Sequence, residues 1–122
     1  MPKAILVADD DPDILGIVSM SLETQGYTVY KATNGREAVD GAREHQPDLV
    51  LMDMMMPVLS GYEAVCELKS DTVTSDIPVV GLSAKAMTVD MERATNAGIN
   101  GYITKPFRIA QVLSVVDEYL AG

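Results

Sequence analysis

Apolar positions along the chain follow two alternating rhythms. The first is a short continuous run, Lys3 to Ala8, of the kind found in strands buried on both faces. The second follows at once: Ile14, Leu15, Val18 and Leu22 recur at helical spacing within 12–25. Asp11 suits the cap before that helix, Pro12 its first turn, and Gly26 a left-handed stop. The rhythms then repeat. Thr28 to Thr33 is β-branched and aromatic, a second strand. Asn34 with Glu37 three positions on makes a capping-box pattern before a helix whose apolar face is Ala38, Val39 and Ala42. Leu49 to Met52 is a third strand ending at Asp53. Ser60-Gly61-Tyr62-Glu63 opens a helix with Val65 and Leu68 inward, and Ile77 to Leu82 is a fourth strand. A helix is expected from about Thr88 to Ala97, stopping at Gly98. Tyr102 to Thr104 is a short fifth strand. The last helix places Ile109, Val112, Leu113, Val116 and Leu120 on one stripe.

Strict alternation of five strands with five helices implies right-handed βαβ units. The expected architecture is α/β, one doubly wound five-stranded parallel sheet, (βα)5, covering 1–122 as a single domain. No linker, repeat or low-complexity segment interrupts it. Ligands of such sheets bind beyond the carboxyl ends of the strands. The residues just past each strand therefore carry the candidate chemistry: Asp9, Asp10 and Asp11 after the first, Asp53 after the third, Ser83 and Ala84 after the fourth, Lys105 and Pro106 after the fifth.

Carboxylates gathered at one rim raise one another's pKa or recruit a cation. Oxygen donors without His or Cys beside them favour a hard cation, Mg²⁺ or Mn²⁺. Mg²⁺ binds through one or two carboxylates and leaves room for phosphate oxygens. A carboxylate can also attack phosphorus and hold the phosphoryl group as an acyl phosphate. The charge that then spreads over the equatorial oxygens needs fixed donors. Lys105, the Ser83 hydroxyl and a backbone N–H near Ala84 can supply them.

Composition narrows the setting. Apolar residues are 48% of the chain and charged residues 22%, values of a soluble globular protein. No apolar run reaches the roughly 20 residues of a membrane span, and the short first run, ending in aspartates, is not that of a signal peptide. A single cysteine, Cys66, excludes an internal disulfide and points to the cytoplasm. A net charge of −9 argues against contact with nucleic acid or anionic lipid.

Four segments together resemble the receiver domains of two-component response regulators: ILVADDDP (5–12), PDLVLMDMMMPVLSGYE (47–63), IPVVGLSAKA (77–86) and NAGINGYITKPF (96–107). The likeness spans nearly the whole chain and is specific in its order and intervals. It implies the flavodoxin-like strand order 2-1-3-4-5. It implies that Asp53 is the phosphoacceptor, and that Asp9 and Asp10, with Asp53 and the Met55 backbone carbonyl, hold the metal. Ser83 would be the switch hydroxyl, Lys105 the cation paired with the phosphoryl group, and Tyr102 the aromatic that turns inward on activation. The Lys105–Pro106 bond would be cis. Met55 and Lys85 would tune dephosphorylation, and Met55, lacking a polar group to orient water, implies slow hydrolysis. The implied partner is a sensor histidine kinase or histidine phosphotransfer protein docking near Pro12, Asp13, Ile14 and Leu15. The implied output surface comprises the helix over 88–97, the fifth strand and the last helix. The chain would catalyse only its own phosphorylation and dephosphorylation, and is not expected to be an enzyme acting on a separate substrate. Met1-Pro2 suits a stand-alone regulator or the N-terminal part of a longer one.

Plainer readings stand beside these. The three aspartates can serve as a helix start, and Asp11 is better read as a cap than as a ligand. Met52 and Met54–Met56 suit gap-filling in a core, Cys66 beside Val65 reads as a small buried hydrophobe, and His45 as an exposed residue near a helix end. A dehalogenase-like hydrolase would want an acid at position 55, where Met stands. A flavin binder would not place aspartates where a phosphate must sit. The main alternative is a receiver-like module that binds proteins without phosphorylation. It would normally lack Asp53, Lys105 or the acid pair, and all are present.

Overall fold

The computed structural model describes residues 2–83 and 96–120. Along the chain run β1 (Ala4–Ala8), α1 (Pro12–Thr24), β2 (Thr28–Ala32), α2 (Gly35–His45), β3 (Leu49–Asp53), α3 (Gly61–Ser70), β4 (Val79–Ser83), β5 (Gly101–Thr104) and a last described helix, here α4 (Ile109–Leu120). The sheet has the order β2-β1-β3-β4-β5 and every neighbouring pair is parallel. This is the flavodoxin-like arrangement. Of the helix expected over 88–97, Asn96 and Ala97 are helical and the rest lies outside the described residues, as do Ala84 and Lys85.

The central strands are buried on both sides, which is why their sequences are continuously apolar. Val50 and Met52 of β3 face a cluster with Ala38, Val39, Val65 and Leu68, contributed by α2 and α3. Leu49 and Leu51 face the opposite cluster with Val18, Leu22, Val112 and Val116, contributed by α1 and α4. Each fully buried Leu or Ile contributes roughly 1.5–3 kcal/mol. A helix cap contributes about 1 kcal/mol, so strand burial dominates and caps set boundaries.

Those boundaries have local causes. The Asp11 carboxylate accepts from the Asp13 and Ile14 N–H groups, with Pro12 in the first turn. Ser60 and Glu63 form a reciprocal capping box. Asn34 accepts from the Glu37 N–H, but Glu37 reaches one residue further back than a box requires, onto the Thr33 N–H and hydroxyl. That pulls Thr33 out of β2. β4 starts at Val79 rather than Ile77: Pro78 has no N–H, and it pairs through its carbonyl to the Val50 N–H.

Three side chains differ from expectation or qualify it. Cys66 is exposed rather than buried, because Val65 and Leu68 define the inward stripe and position 66 turns about 100° away from Val65. Leu15 is 7% exposed and belongs to the core, so it presents no side chain to a docking partner. Met52, Met54 and Met56 do fill the core, whereas Met55 is 68% exposed. His45 is exposed at the end of α2, and its ring stacks on Tyr30 with centroids 3.8 Å apart.

At the amino ends of β4 and β5 a polar knot joins several elements. The Lys69 ammonium donates to the carbonyls of Ser75 and Ile77 and to Asn100 Oδ1. Asn100 Oδ1 also accepts from the Val79 N–H, its N–H donates to the Val79 carbonyl, and its carbonyl accepts from the Tyr119 hydroxyl.

Candidate functional site

The carboxyl ends of β1, β3, β4 and β5 meet at one rim, as parallel strands require. Asp9 follows β1 with its N–H on the Ala32 carbonyl. Asp53 ends β3 in register with Leu82. Ser83 ends β4 in register with Thr104, and Lys105 follows, its N–H donating to the Ser83 carbonyl. The Lys105–Pro106 peptide bond is cis.

Asp9, Asp10 and Asp53 each bring a carboxylate oxygen within 4.8 Å of the others. Asp9 is fully buried and Asp53 5% exposed, while Asp10 opens to solvent. The Lys105 ammonium donates to Asp9 Oδ2 at 2.9 Å and to Asp53 Oδ2 at 3.2 Å. Asp9 Oδ1 accepts from the Asp11 N–H, and Asp53 Oδ1 from the Met55 N–H at 3.0 Å. Gly61 lies beneath the loop that follows: a Cβ there would stand 2.3 Å from the Asp53 carbonyl.

The electrostatics follow from this crowding. Burial raises the Asp53 carboxyl from its ordinary 3.8 to about 6, and the Asp9 charge adds to the rise. The Met55 N–H and Lys105 work against it without cancelling it. Burial draws the Lys105 ammonium down, but the Asp9 hydrogen bond and the charges of Asp53 and Asp9 outweigh that, and its pKa is raised. Lys105 therefore stays charged. With all three carboxylates ionised, one ammonium leaves two negative charges in excess. That excess, the all-oxygen donors and the partly open side at Asp10 fit a divalent hard cation.

Ser83 is buried, and Tyr102 is half-buried against the cluster on the α2 and α3 side. Pro12 and Asp13 are exposed and Ile14 half-buried, close in sequence to the acids. The inward stripe of α1 was readable from its spacing. Ile17 (55% exposed) and Met20 (68%) lie on its outer side, which the inward stripe does not include. The signal for them was present: two large apolar residues three apart, off the stripe of Leu15, Val18 and Leu22.

The chain belongs to the response regulator receiver domain family, whose model matches residues 5–117. It is thus a receiver domain of the two-component response-regulator class, a signalling domain. It is similar to the polar-differentiation response regulator DivK of Brucella anthropi, 38% identical over 120 residues with 98% of each chain covered, and to that of Brucella ovis at 36% over the same coverage. Among solved structures it resembles the receiver domain of sensor histidine kinase PA1611 from Pseudomonas aeruginosa PAO1, which has a magnesium ion coordinated in its active site cleft. That domain is 30% identical, with a TM-score of 0.91 and both chains fully covered. The chemotaxis protein CheY4 of Vibrio cholerae is 28% identical with a TM-score of 0.93, covering 98% of this chain and 100% of its own. Among the described residues, no helix is long and apolar enough to cross a membrane.

Proposed function

We propose that the chain accepts a phosphoryl group on Asp53 from a phosphohistidine, and that a divalent cation at Asp9, Asp10 and Asp53 is required. The carrying observation is the convergence of these three carboxylates with the Lys105 ammonium at the carboxyl rim of the sheet. The carboxylate oxygen of Asp53 forms the new P–O bond as the P–N bond to the donor imidazole breaks. Asp9, Asp10, Asp53 and the Met55 backbone carbonyl would hold Mg²⁺, and the ion would supply charge neutralisation between the acids and the phosphate oxygens. Lys105 holds a positive charge against the same oxygens, and the Met55 N–H keeps Asp53 oriented. Ser83 and the N–H near Ala84 supply further donors to the phosphoryl group.

Phosphorylation draws Ser83 inward and Tyr102 follows, shifting the face that carries β5 and α4. Such a shift requires the two states to differ in their interaction with the phosphoryl group. The donor is a histidine kinase or histidine phosphotransfer protein. It docks on the exposed side of α1 at Pro12, Asp13 and Ile14, with Ile17 and Met20 extending that surface. The exposed Met55 side chain carries no group to orient an attacking water, so the aspartyl phosphate is long-lived.

Incubation with Mg²⁺ and a small phosphodonor, read by intact mass, tests the reading. One phosphoryl group is expected on the wild type and none on Asp53→Asn or with chelator. A phosphoryl group on Asp53→Asn overturns the assignment of the acceptor. No addition to folded, Mg²⁺-bound protein, even from a phosphohistidine donor, favours the phosphorylation-independent binding module instead.

A further inference from the structure

The loop joining β3 to α3 carries both backbone groups of Met55 that the site uses, and its shape is not the one its sequence prefers. Val58 has a positive φ of 70°. The Leu59 N–H donates to the Pro57 carbonyl at 2.8 Å, closing a γ-turn around Val58. That hand of γ-turn is rare and strained, and a β-branched residue suits it poorly. Val58 is 82% exposed, so burial of its own side chain does not hold it there. Backbone strain persists only where the surroundings over-determine it.

The surroundings in question are the first turn of α2. Gly35 is buried there, directly after the Asn34 cap, and its φ is not in the left-handed region. Its backbone therefore accepts any residue, and neighbouring atoms exclude one. A Cβ on Gly35 would stand 1.9 Å from the Leu59 carbonyl oxygen and 2.9 Å from Leu59 Cβ. The nearest obstacle is backbone, which cannot swing aside as the end of a side chain can. The loop is seated on the bare Cα of Gly35 at one point. At another, Gly61 returns under Asp53 and donates its N–H to the Met54 carbonyl at 3.2 Å. Met55 lies between these two fixed points.

We propose that Gly35 is a positioning residue for phosphoryl transfer: it seats Leu59 so that the loop presents the Met55 N–H to Asp53 and the Met55 carbonyl to the cation. This inference rests on Asp53 being the acceptor. Gly35→Ala pushes the Leu59 carbonyl away by about 1 Å. A displacement of that size at a reacting site slows chemistry by roughly ten- to a hundredfold, and misaligned supporting groups weaken metal binding by about tenfold or more.

The experiment compares Gly35→Ala with Gly41→Ala. Gly41 is in the same helix, and a Cβ there meets the end of the Leu6 side chain at 2.8 Å, far from the loop in sequence. Three quantities are read: Mg²⁺ affinity by calorimetry, the Met55 amide resonance in metal-free protein, and the rate of phosphorylation at saturating small phosphodonor. Gly35→Ala is expected to shift the Met55 resonance, weaken Mg²⁺ binding and lower the rate. Gly41→Ala is expected to alter stability alone. Leu59→Gly, which loosens the seat without touching α2, is expected to weaken Mg²⁺ binding similarly. The two changes combined should fall well short of additive, because both act through one contact. If Gly35→Ala fails to fold, Leu59→Gly decides, and wild-type Mg²⁺ affinity and Met55 resonance in it overturn the inference. A folded Gly35→Ala protein with unchanged Met55 resonance and Mg²⁺ affinity overturns it as well. If the wild type binds Mg²⁺ but takes no phosphoryl group even from a phosphohistidine donor, the acceptor reading fails, while the resonance and affinity still report on the seat.

Discussion

Removing the charge of Asp53 should make the metal-free protein more stable, although it removes the residue on which the proposed function depends. Asp53 has a folded-state pKa of about 6 against an ordinary 3.8. A group raised in this way stabilises the fold fully below its unfolded pKa and loses that contribution as pH rises through the folded value. Between pH 4 and 6 the native state holds a proton that the unfolded chain has released. By pH 7.5 the ionised carboxylate costs roughly 3 kcal/mol at most. Asparagine has no such charge and can still accept the Met55 N–H, and Lys105 keeps its 2.9 Å partner Asp9. Asp53→Asn is expected to gain about 1–3 kcal/mol at pH 7.5 with chelator present. At about 4 °C per kcal/mol for a chain of this size, Tm rises by roughly 4–12 °C. The gain should shrink to well below about 1 kcal/mol near pH 4, where wild-type Asp53 is protonated when folded. Mg²⁺ should narrow it too, since ligand binding stabilises wild type by about 1.4 kcal/mol per tenfold excess over Kd. Urea and thermal melts followed by circular dichroism at the two pH values measure this. An Asp53→Asn protein no more stable than wild type at pH 7.5 without metal would refute the account of the acid cluster.

Three other expectations can be checked. Ser19 is fully buried in α1 and, among the described residues, its hydroxyl has no hydrogen-bond partner. Ser19→Ala should therefore stabilise by about 1 kcal/mol in urea melts, and a loss would point to a bound water. Met55→Asn places an amide beside the proposed acyl phosphate, and should speed its hydrolysis roughly tenfold in a mass-resolved decay; an unchanged lifetime counts against the tuning role. Cys66, being exposed, should react with a thiol reagent in native protein at nearly the rate seen in denaturant. Protection by more than about tenfold would show that it is covered.

The order of strands and helices was legible because burial on two faces leaves continuous apolar runs in β1, β3 and β4, while the helices keep stripes. The gathering of Asp9, Asp10, Asp53 and Lys105 was legible for a topological reason: in a parallel sheet every strand ends at the same rim. Periodicity encodes the direction a side chain points, and only coarsely. Cys66 sits beside Val65 on the edge of a stripe, where a single turn of 100° separates core from solvent. Leu15 fits both an inward stripe and a docking surface by its spacing, and its burial makes it core. Contacts between distant segments leave no trace in local spacing. Nothing near Gly35 announces Leu59, and nothing near Lys69 announces Asn100, 31 residues on. The positive φ of Val58 likewise leaves no mark in local spacing.

The knot of Lys69 and Asn100 gives the sheet a grain. At the amino ends of β4 and β5, the Lys69 ammonium has all three of its hydrogens engaged, and Asn100 binds both a strand and α4. At the carboxyl ends, the same strands finish in a half-open cluster with more negative charge than positive. One end is riveted and the other is held under electrostatic tension. Charge neutralised at that rim is therefore expected to act on the strand ends that the knot does not hold, Ser83 of β4 and Thr104 of β5.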